Sequence, residues 1–183
     1  MAEDLAASLA HLQAPVVASP ARRARETAAP LAAASGQHLD VDERLVEVAF
    51  GRFEGCTIAS LADDPGFASW RAGREDLAEH DAAGSTAGPA PEPLPVAARR
   101  LRSFLDEATE RFAARSLVVT VGHGIALRVL LCVGVLGLPP QAYRRLRLDN
   151  GHGAVLTPAS DEPGYRLAAC NVPPEVLASM LAS

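Results

Sequence analysis

Two patterns of hydrophobic and polar positions alternate along the chain: short apolar runs, and longer stretches with an apolar residue every three or four positions. The first pattern is typical of buried strands, and the second is typical of amphipathic helices. Strands are predicted at residues 15–18, 39–41, 117–121, 153–157 and 165–169. Helices are predicted at residues 2–12, 20–35, 58–62, 67–74 and 96–114, after His123, after Pro139-Pro140 and after Pro173-Pro174.

The alternation of strands and helices predicts an α/β layered fold. The length of 183 residues suits a single domain with its own core. Residues 77–95 are rich in Ala, Gly, Pro and acidic residues, and we expect them to form an exposed loop insertion. The chain opens in a helical pattern, whereas a fold of this class is expected to open on a strand.

The basic residues exclude several kinds of chemistry, because all 17 are arginine and lysine is absent. Without lysine there is no Walker A loop, no Schiff base and no Ser-Lys dyad. The net charge of −5 argues against a nucleic-acid partner bound through a broad basic face.

The cysteines and the apolar runs indicate in which cellular compartment the protein is expected. Cys56, Cys132 and Cys170 are far apart and fit neither a disulfide framework nor a zinc site, which favours a reducing compartment. The longest apolar run, residues 125–138, is interrupted by Arg128 and is too short to span a bilayer. No signal-peptide pattern is visible, so we expect a cytoplasmic protein with no membrane partner.

The first candidate for chemistry is His123, which stands between Gly122 and Gly124 where a predicted strand meets a predicted helix. In α/β proteins, sites form at the carboxyl ends of strands. The flanking glycines let a ligand approach the backbone, and the N–H groups of a helix N-terminus suit an anion such as phosphate. A tight turn with an incidental histidine is the alternative.

A second junction of strand and helix lies at residues 19–28, SPARRARETA. Ser19 and Pro20 predict a helix start, with serine as the N-cap and proline as the first helical residue. Arg22 and Arg23 then fall in the first turn, where a guanidinium can bind a phosphate. A solvated basic helix face is the alternative for either arginine, although two such junctions in one chain favour an anion pocket.

The third candidate segment is residues 44–55, RLVEVAFGRFEG, with Glu47 and Glu54 in an apolar, glycine-bearing loop. A partly desolvated carboxylate has a raised pKa and can serve as a general acid. Two ordinary surface glutamates are the alternative. The remaining histidines show no ligand-like spacing, so no metal is expected.

The three segments together resemble the histidine phosphatase superfamily, the phosphoglycerate mutase-like group of two-histidine phosphatases. Ser19–Ala28, Leu45-Val46-Glu47 with Phe50-Gly51 and Glu54-Gly55, and Val121-Gly122-His123-Gly124 with Arg128 occur in that family's order and approximate spacing. The resemblance covers nearly the whole chain. It implies a three-layer α/β/α sandwich and a phosphomonoester hydrolase that acts through a phosphohistidine, with no metal or other cofactor.

The resemblance also implies roles for individual residues. Arg23 corresponds to the second arginine that binds the phosphoryl group, and His123 to the second histidine, with Gly124 beside it. Glu47 corresponds to the proton donor that later activates water. The expected partner is a small phosphorylated substrate, whose identity the sequence leaves open, as it does the oligomeric state.

One departure from the family pattern is large: the sequence contains no Arg-His-Gly, the motif that carries the nucleophile. Residues 2–12 resemble the helix that normally follows that motif, and His11 lies within this helical pattern and cannot replace the nucleophile. A strand, the catalytic loop and a helix start, on the order of twenty residues, are therefore expected to be missing. In addition, Pro-Glu92-Pro stands where the family usually has Gly-Glu-Ser.

Three hypotheses follow for the function. The chain is a phosphatase whose sequence lacks its true N-terminus, through a miscalled start codon or a truncation. Alternatively, it is a pseudophosphatase that binds a phosphorylated ligand or a protein partner, or an unstable fragment without a function of its own. We favour the first for the natural protein and expect little or no phosphatase activity from the chain as written. Hydrolysis is favoured over transfer, because mutases usually carry longer insertions.

Overall fold

The computed structural model describes residues 13–75, 88–115, 117–159 and 164–181. The predicted helix at 2–12, His11 and most of the predicted loop at 77–95 lie outside these ranges. The strands are β1 (Val16–Ala18), β2 (Leu39–Val41), β3 (Val119–Val121), β4 (Gly153–Pro158) and β5 (Tyr165–Val172). The α-helices are α1 (Arg22–Ala34), α2 (Pro65–Arg71), α3 (Leu94–Arg111), α4 (Gly124–Val129) and α5 (Pro174–Leu181). A π-helical stretch, Leu130–Val135, continues α4, and short 3₁₀ turns lie at Glu43–Leu45, Gly51–Phe53 and Pro140–Arg144.

The first three strands form a parallel sheet in the order β2-β1-β3. Alternating side chains of β1 face opposite layers, as the pleat of a strand requires. Val16 and Ala18 pack with Leu31 of α1 on one face of the sheet. On the other face, Val17 belongs to the cluster that contains Leu101 of α3. Helices therefore cover both faces, which confirms the predicted α/β class.

Strand β3 pairs with β1 along one of its edges. The N–H of Val119 donates to the carbonyl of Pro15 at 2.9 Å, and the carbonyl of Val121 accepts from Ser19 at 2.9 Å. Because the backbone groups of successive strand residues point to alternate sides, the N–H and C=O of Thr120 point away from β1. No strand in the described part of the chain pairs with that edge of β3. Strands β4 and β5 form a separate antiparallel pair.

The loop after β2 is fastened to the segment that precedes α3. The N–H of Arg52 donates to the carbonyl of Pro89 at 2.7 Å, and the N–H of Glu92 donates to the carbonyl of Ala49 at 2.8 Å. Gly51 has a φ of 55°, and a Cβ there would lie 2.3 Å from the carbonyl oxygen of Pro89. Only glycine therefore fits this crossing of the two segments.

Three predicted details differ from the structure. The helix predicted at 58–62 is a run of turns. The first helix begins at Arg22 with Ala21 as its N-cap, so the prediction that Ser19 caps it was wrong. The exposed loop predicted to reach residue 95 ends earlier, because Pro91 and Leu94 are buried and α3 starts at Leu94.

Candidate active site

Two junctions of strand and helix lie side by side, because β1 and β3 are parallel neighbours in the sheet. The register pairs Ala18 with Val121, the last residues of the two strands. Ser19, which follows β1, and His123, which precedes α4, are therefore brought to the same edge of the sheet. The sequence predicted chemistry at each junction, and the parallel pairing places the two junctions next to each other.

The imidazole of His123 forms a hydrogen bond with the hydroxyl of Ser19, with 2.8 Å between Nε2 and Oγ. Both side chains are buried: Ser19 is 0% exposed and His123 is 6% exposed. The Ser19 Oγ also accepts a hydrogen bond from the N–H of Ala21 at 3.3 Å. Its hydroxyl can donate to Nε2 or accept from it, depending on the tautomer of the ring. No hydrogen bond joins Nδ1 to a side chain or backbone group of the described residues.

Burial and nearby charged side chains shift the pKa of His123. Burial lowers the pKa of the imidazole below its ordinary value of 6.5, and the positive charge of Arg23 lowers it further. The negative charge of Glu47 opposes this shift, and Arg100 adds a weaker push in the lowering direction. Arg23 and Glu47 thus both act electrostatically on His123.

The carboxylate of Glu47 lies at the N-terminus of α4. Its Oε1 accepts hydrogen bonds from the N–H groups of Ala126 at 2.8 Å and of Val48 at 3.0 Å. Its Oε2 accepts from the N–H of Ile125 at 3.3 Å. These backbone donors and the positive end of the helix fix the orientation of the carboxylate. The sequence predicted a partly desolvated carboxylate at Glu47. In the structure, its oxygens accept hydrogen bonds from the backbone N–H groups of Val48, Ile125 and Ala126.

Arg23 and Arg22 are adjacent, but their contacts differ. Arg22 forms an ion pair with Glu26 on the helix surface at 2.7 Å. For Arg22, the alternative prediction of a solvated basic helix face therefore fits. Arg23 is exposed and forms no ion pair with any residue in the described ranges. Gly124 opens α4, and a Cβ there would meet no atom within 4 Å, so the protein leaves open space beside the junction.

An ion pair between Arg100 and Glu92, which the sequence did not predict, helps to hold the backbone at Glu47. Arg100 of α3 forms a bidentate ion pair with Glu92, at 2.7 and 2.8 Å. The same guanidinium donates to the carbonyls of Arg44 at 2.6 Å and of Glu47 at 3.4 Å. The signal in the sequence was weak, because Arg100 is one of 17 arginines and its backbone partners are more than fifty residues away.

Glu54, the other carboxylate that the sequence singled out, is not placed against His123. Its Oε1 accepts the N–H of Phe50 at 2.9 Å, and its side chain lines a cavity beside α4. Among the described residues, no group of three or more His, Cys, Asp and Glu side chains is arranged to hold a metal ion. No helix in these same ranges combines the length and the apolar character that crossing a bilayer requires.

Known proteins resemble the chain in sequence. A protein of Yersinia enterocolitica, named as a probable phosphoglycerate mutase GpmB, is 37% identical to the chain over 137 residues. The match covers 74% of this chain and 59% of that protein. A protein of the same name from Erwinia tasmaniensis is 37% identical over 135 residues, with the same coverage. The chain therefore spans about three fifths of the length of these curated relatives.

Solved structures resemble the fold. A mycobacterial glucosyl-3-phosphoglycerate phosphatase, in complex with VO3, has a TM-score of 0.73 and 28% identity, over 93% of this chain and 83% of that one. The phosphoserine phosphatase of Entamoeba histolytica, in complex with 3-phosphoglyceric acid, has a TM-score of 0.75 over 93% of this chain and 79% of that one. Its identity of 21% shows the likeness of the fold alone.

The match at the level of the family covers most of the sequence. A family model of the histidine phosphatase superfamily (branch 1) matches residues 1–171. The resemblance that three short segments indicated is thereby confirmed, and the chain belongs to the histidine phosphatase superfamily.

Proposed function

We propose that this chain supplies the phosphate-binding and proton-donating parts of a phosphomonoester hydrolase that acts on a small phosphorylated metabolite. The observation that carries the proposal is the convergence of Arg23, Glu47 and His123 at one edge of the parallel sheet, with Nδ1 of His123 free of described partners. Arg23 supplies positive charge, and His123 offers a ring N–H, to the oxygens of a phosphoryl group in transfer. No metal or cofactor is required for that role.

The reaction has two steps in this proposal. A histidine of an Arg-His-Gly segment attacks phosphorus, the bond from phosphorus to the ester oxygen breaks, and Glu47 gives a proton to the departing oxygen. Water then attacks the phosphohistidine, Glu47 takes a proton from it, and inorganic phosphate leaves. We assign the proton to Oε2 of Glu47, whose backbone contact of 3.3 Å is the longer one. Arg23 and His123 hold the phosphoryl oxygens in both steps.

We infer that the nucleophile belongs to a strand that pairs with the open edge of β3. Support comes from Thr120, whose backbone N–H and C=O point to that edge and meet no described strand. A parallel strand there would end beside His123, because parallel strands bring their carboxyl ends to the same edge of a sheet. The natural protein would then carry the missing Arg-His-Gly upstream of the sequence as written.

Hydrolysis is proposed over transfer between two positions of a substrate. A mycobacterial phosphatase at 28% identity supports hydrolysis, whereas the curated relatives are named as probable mutases. The names of both groups contain phosphoglycerate, which favours a small phosphorylated acid as the substrate class. We place the enzyme in the cytoplasm, on the cysteine usage of the sequence.

The experiment compares the chain as written with a version extended upstream by its in-frame genomic sequence. The extended protein is expected to hydrolyse p-nitrophenyl phosphate and, after a quenched reaction, to carry a phosphate that is labile in acid and stable in base, as expected for a phosphohistidine. The chain as written is expected to show little or no turnover. An in-frame stop codon directly upstream, with no Arg-His-Gly, would contradict the proposal.

A pseudophosphatase is the second candidate, and the departure at the nucleophile motivates it. It shares the phosphate-binding residues but predicts phosphate binding without turnover in the natural protein of full length. Turnover by the extended protein that is lost in His123→Ala would contradict the second candidate. Phosphate binding by an extended protein that shows no turnover would support it.

A further inference from the structure

The chain contains two asparagines, and they differ in the residue that follows them. Asn150 is followed by Gly151, whereas Asn171 is followed by Val172. A backbone nitrogen can attack the side-chain amide of the asparagine that precedes it. Glycine has no side chain to hinder this attack and restricts the backbone least. The sequence therefore favours Asn150 over Asn171 as a site of this spontaneous chemistry.

Asn150 and Gly151 are the central residues of a turn that leads into β4. The N–H of His152 donates to the carbonyl of Asp149 at 3.1 Å and closes the turn. Gly151 has a φ of 78°, in the left-handed region that glycine adopts readily. Asn150 is exposed, and no described residue forms a hydrogen bond with its side-chain amide or with the N–H of Gly151. The two groups that must react are therefore not held by other partners within the described structure.

His152 contacts the peptide group that would react. Its Nδ1 lies 3.4 Å from the carbonyl oxygen of Asn150, and because a carbonyl oxygen only accepts hydrogen bonds, Nδ1 is the donor. This carbonyl and the N–H of Gly151 belong to the same peptide group. When that N–H loses its proton, the negative charge is shared with the carbonyl oxygen, where a donor stabilises it. His152 therefore favours the ionised nitrogen, which is the attacking form.

Asn171 differs from Asn150 in every one of these respects. Its Oδ1 accepts a hydrogen bond from the N–H of Asp149 at 2.7 Å, and its Nδ2 donates to the Asp149 carboxylate at 3.2 Å. Both ends of its side-chain amide are thus engaged. The next residue, Val172, is β-branched and only 8% exposed, so its nitrogen is poorly accessible. The same two hydrogen bonds fix the residue before Asn150 and so hold the turn in position.

We propose that Asn150 is a site of deamidation in the folded protein, promoted by His152. The nitrogen of Gly151 loses its proton to solvent and forms a bond to Cγ of Asn150. The bond from Cγ to the side-chain nitrogen then breaks, and that nitrogen takes up a proton and leaves as ammonia. Water opens the resulting cyclic succinimide at either carbonyl. Opening at the side-chain carbonyl gives aspartate at the backbone's ordinary length, and opening at the main-chain carbonyl gives isoaspartate.

Either product changes the approach to β4. Aspartate in place of Asn150 puts a second negative charge beside Asp149, whose carboxylate already pairs with Arg147 at 2.8 Å. Isoaspartate passes the backbone through the former side chain and so inserts an extra carbon shortly before Gly153, which pairs with Val172 of β5. An extra backbone atom there disturbs the register of the pair. The modification therefore weakens the β4–β5 sheet, and it is independent of the proposed phosphate site.

The test incubates the folded chain in mildly alkaline buffer and follows its tryptic peptides by liquid chromatography and mass spectrometry. Trypsin cleaves after Arg147 and Arg166 and so places the two asparagines in separate peptides. We expect Asn150 to convert progressively to aspartate and isoaspartate, and Asn171, the internal control, to stay intact. In His152→Leu the conversion should slow by about fivefold, because the donor to the carbonyl oxygen is lost.

His38→Leu is the matched control, because this exposed histidine lies beside Asp40 and not at the turn. It should convert at the wild-type rate. His152→Phe also lacks the donor but keeps a planar ring, and it covers the case in which His152→Leu fails to fold. Circular dichroism of each sample checks that it stays folded during the incubation. Conversion of Asn150 that occurs only in urea, or equal rates in the wild type and the two His152 variants, would overturn the inference.

Discussion

At the scale of single residues, the candidate site depends on contacts that join distant parts of the sequence. His123 and its helix junction were predictable from local pattern, because a histidine between two glycines after an apolar run is visible in the sequence itself. The contact between Ser19 and His123 was not predictable in that way. From local sequence, a serine before a proline is expected to cap a helix. Its hydroxyl reaches Nε2 of His123 because β1 and β3 pair in parallel.

Ser19→Ala tests whether that hydroxyl sets the tautomer of His123. If the Ser19 hydroxyl donates to Nε2 in the wild type, the proton of the neutral ring lies on Nδ1. We expect long-range ¹H–¹⁵N spectra at neutral pH to show the Nδ1–H tautomer in the wild type and a mixture in Ser19→Ala. Stability should fall by about 1–3 kcal/mol, because Nε2 is left buried without a partner.

The control for this variant is Ser69→Ala, which removes another buried serine hydroxyl that does not contact the imidazole. It should leave the tautomer of His123 unchanged. A His123 spectrum that is identical in Ser19→Ala and the wild type would show that the serine has no part in positioning the ring.

The lowered pKa of His123 predicts that the stability of the fold depends on pH. Between the ordinary value of 6.5 and the lower folded value, the unfolded chain binds a proton that the folded chain does not. The stability contributed by the neutral ring is therefore complete above 6.5 and is lost as the pH falls. Melting temperatures measured from pH 7.5 to pH 5 should decline less in His123→Gln than in the wild type. The exposed His38→Gln should follow the wild-type curve, and equal slopes in all three proteins would contradict the assignment.

At the scale of elements, most boundaries were predictable, and the failures have local physical causes. Three-residue strands were found because apolar runs and breakers bound them. The helix predicted at 58–62 does not form, because Thr57 and Ser60 exchange side-chain and backbone hydrogen bonds that hold a turn. The segment before α3 was predicted to be exposed because composition does not reveal that the loop after β2 is fastened to it.

The pair of Arg100 and Glu92 connects α3 to the loop that carries Glu47, and its removal should weaken that connection. Both side chains are about one fifth exposed, at 19% and 17%. Arg100→Met leaves the Glu92 carboxylate without its partner, and we expect a loss of about 2–4 kcal/mol in urea denaturation. Arg100→Met/Glu92→Leu should be more stable than Arg100→Met.

Arg99→Met is the matched control for Arg100→Met, because Arg99 pairs with Glu75 on the surface, where an ion pair contributes little. It should denature close to the wild type. If Arg100→Met and Arg99→Met were equally stable, Arg100 would not hold the loop of Glu47.

At the scale of the whole molecule, the fold class followed from the alternation of strands and helices, and the family from three short motifs in order. The arrangement of layers could not be read from composition. It depends on alternate residues of β1 facing α1 and α3, and on β3 pairing along one edge only within the residues that the structure describes. The cavity beside α4 was also not predictable from the sequence, because Arg71, Arg128 and Arg144, which line it, come from three separate elements.

The most direct test of the central claim is a calorimetric titration of inorganic phosphate into the wild type, His123→Ala, Arg23→Ala and Arg22→Ala. We expect one phosphate to bind per wild-type chain, and the affinity to fall at least about tenfold in His123→Ala and in Arg23→Ala. Arg22→Ala should bind as the wild type does, because Arg22 pairs with Glu26 on the surface. Phosphate binding that is unaffected by His123→Ala, or that is absent from the wild type, would contradict the account.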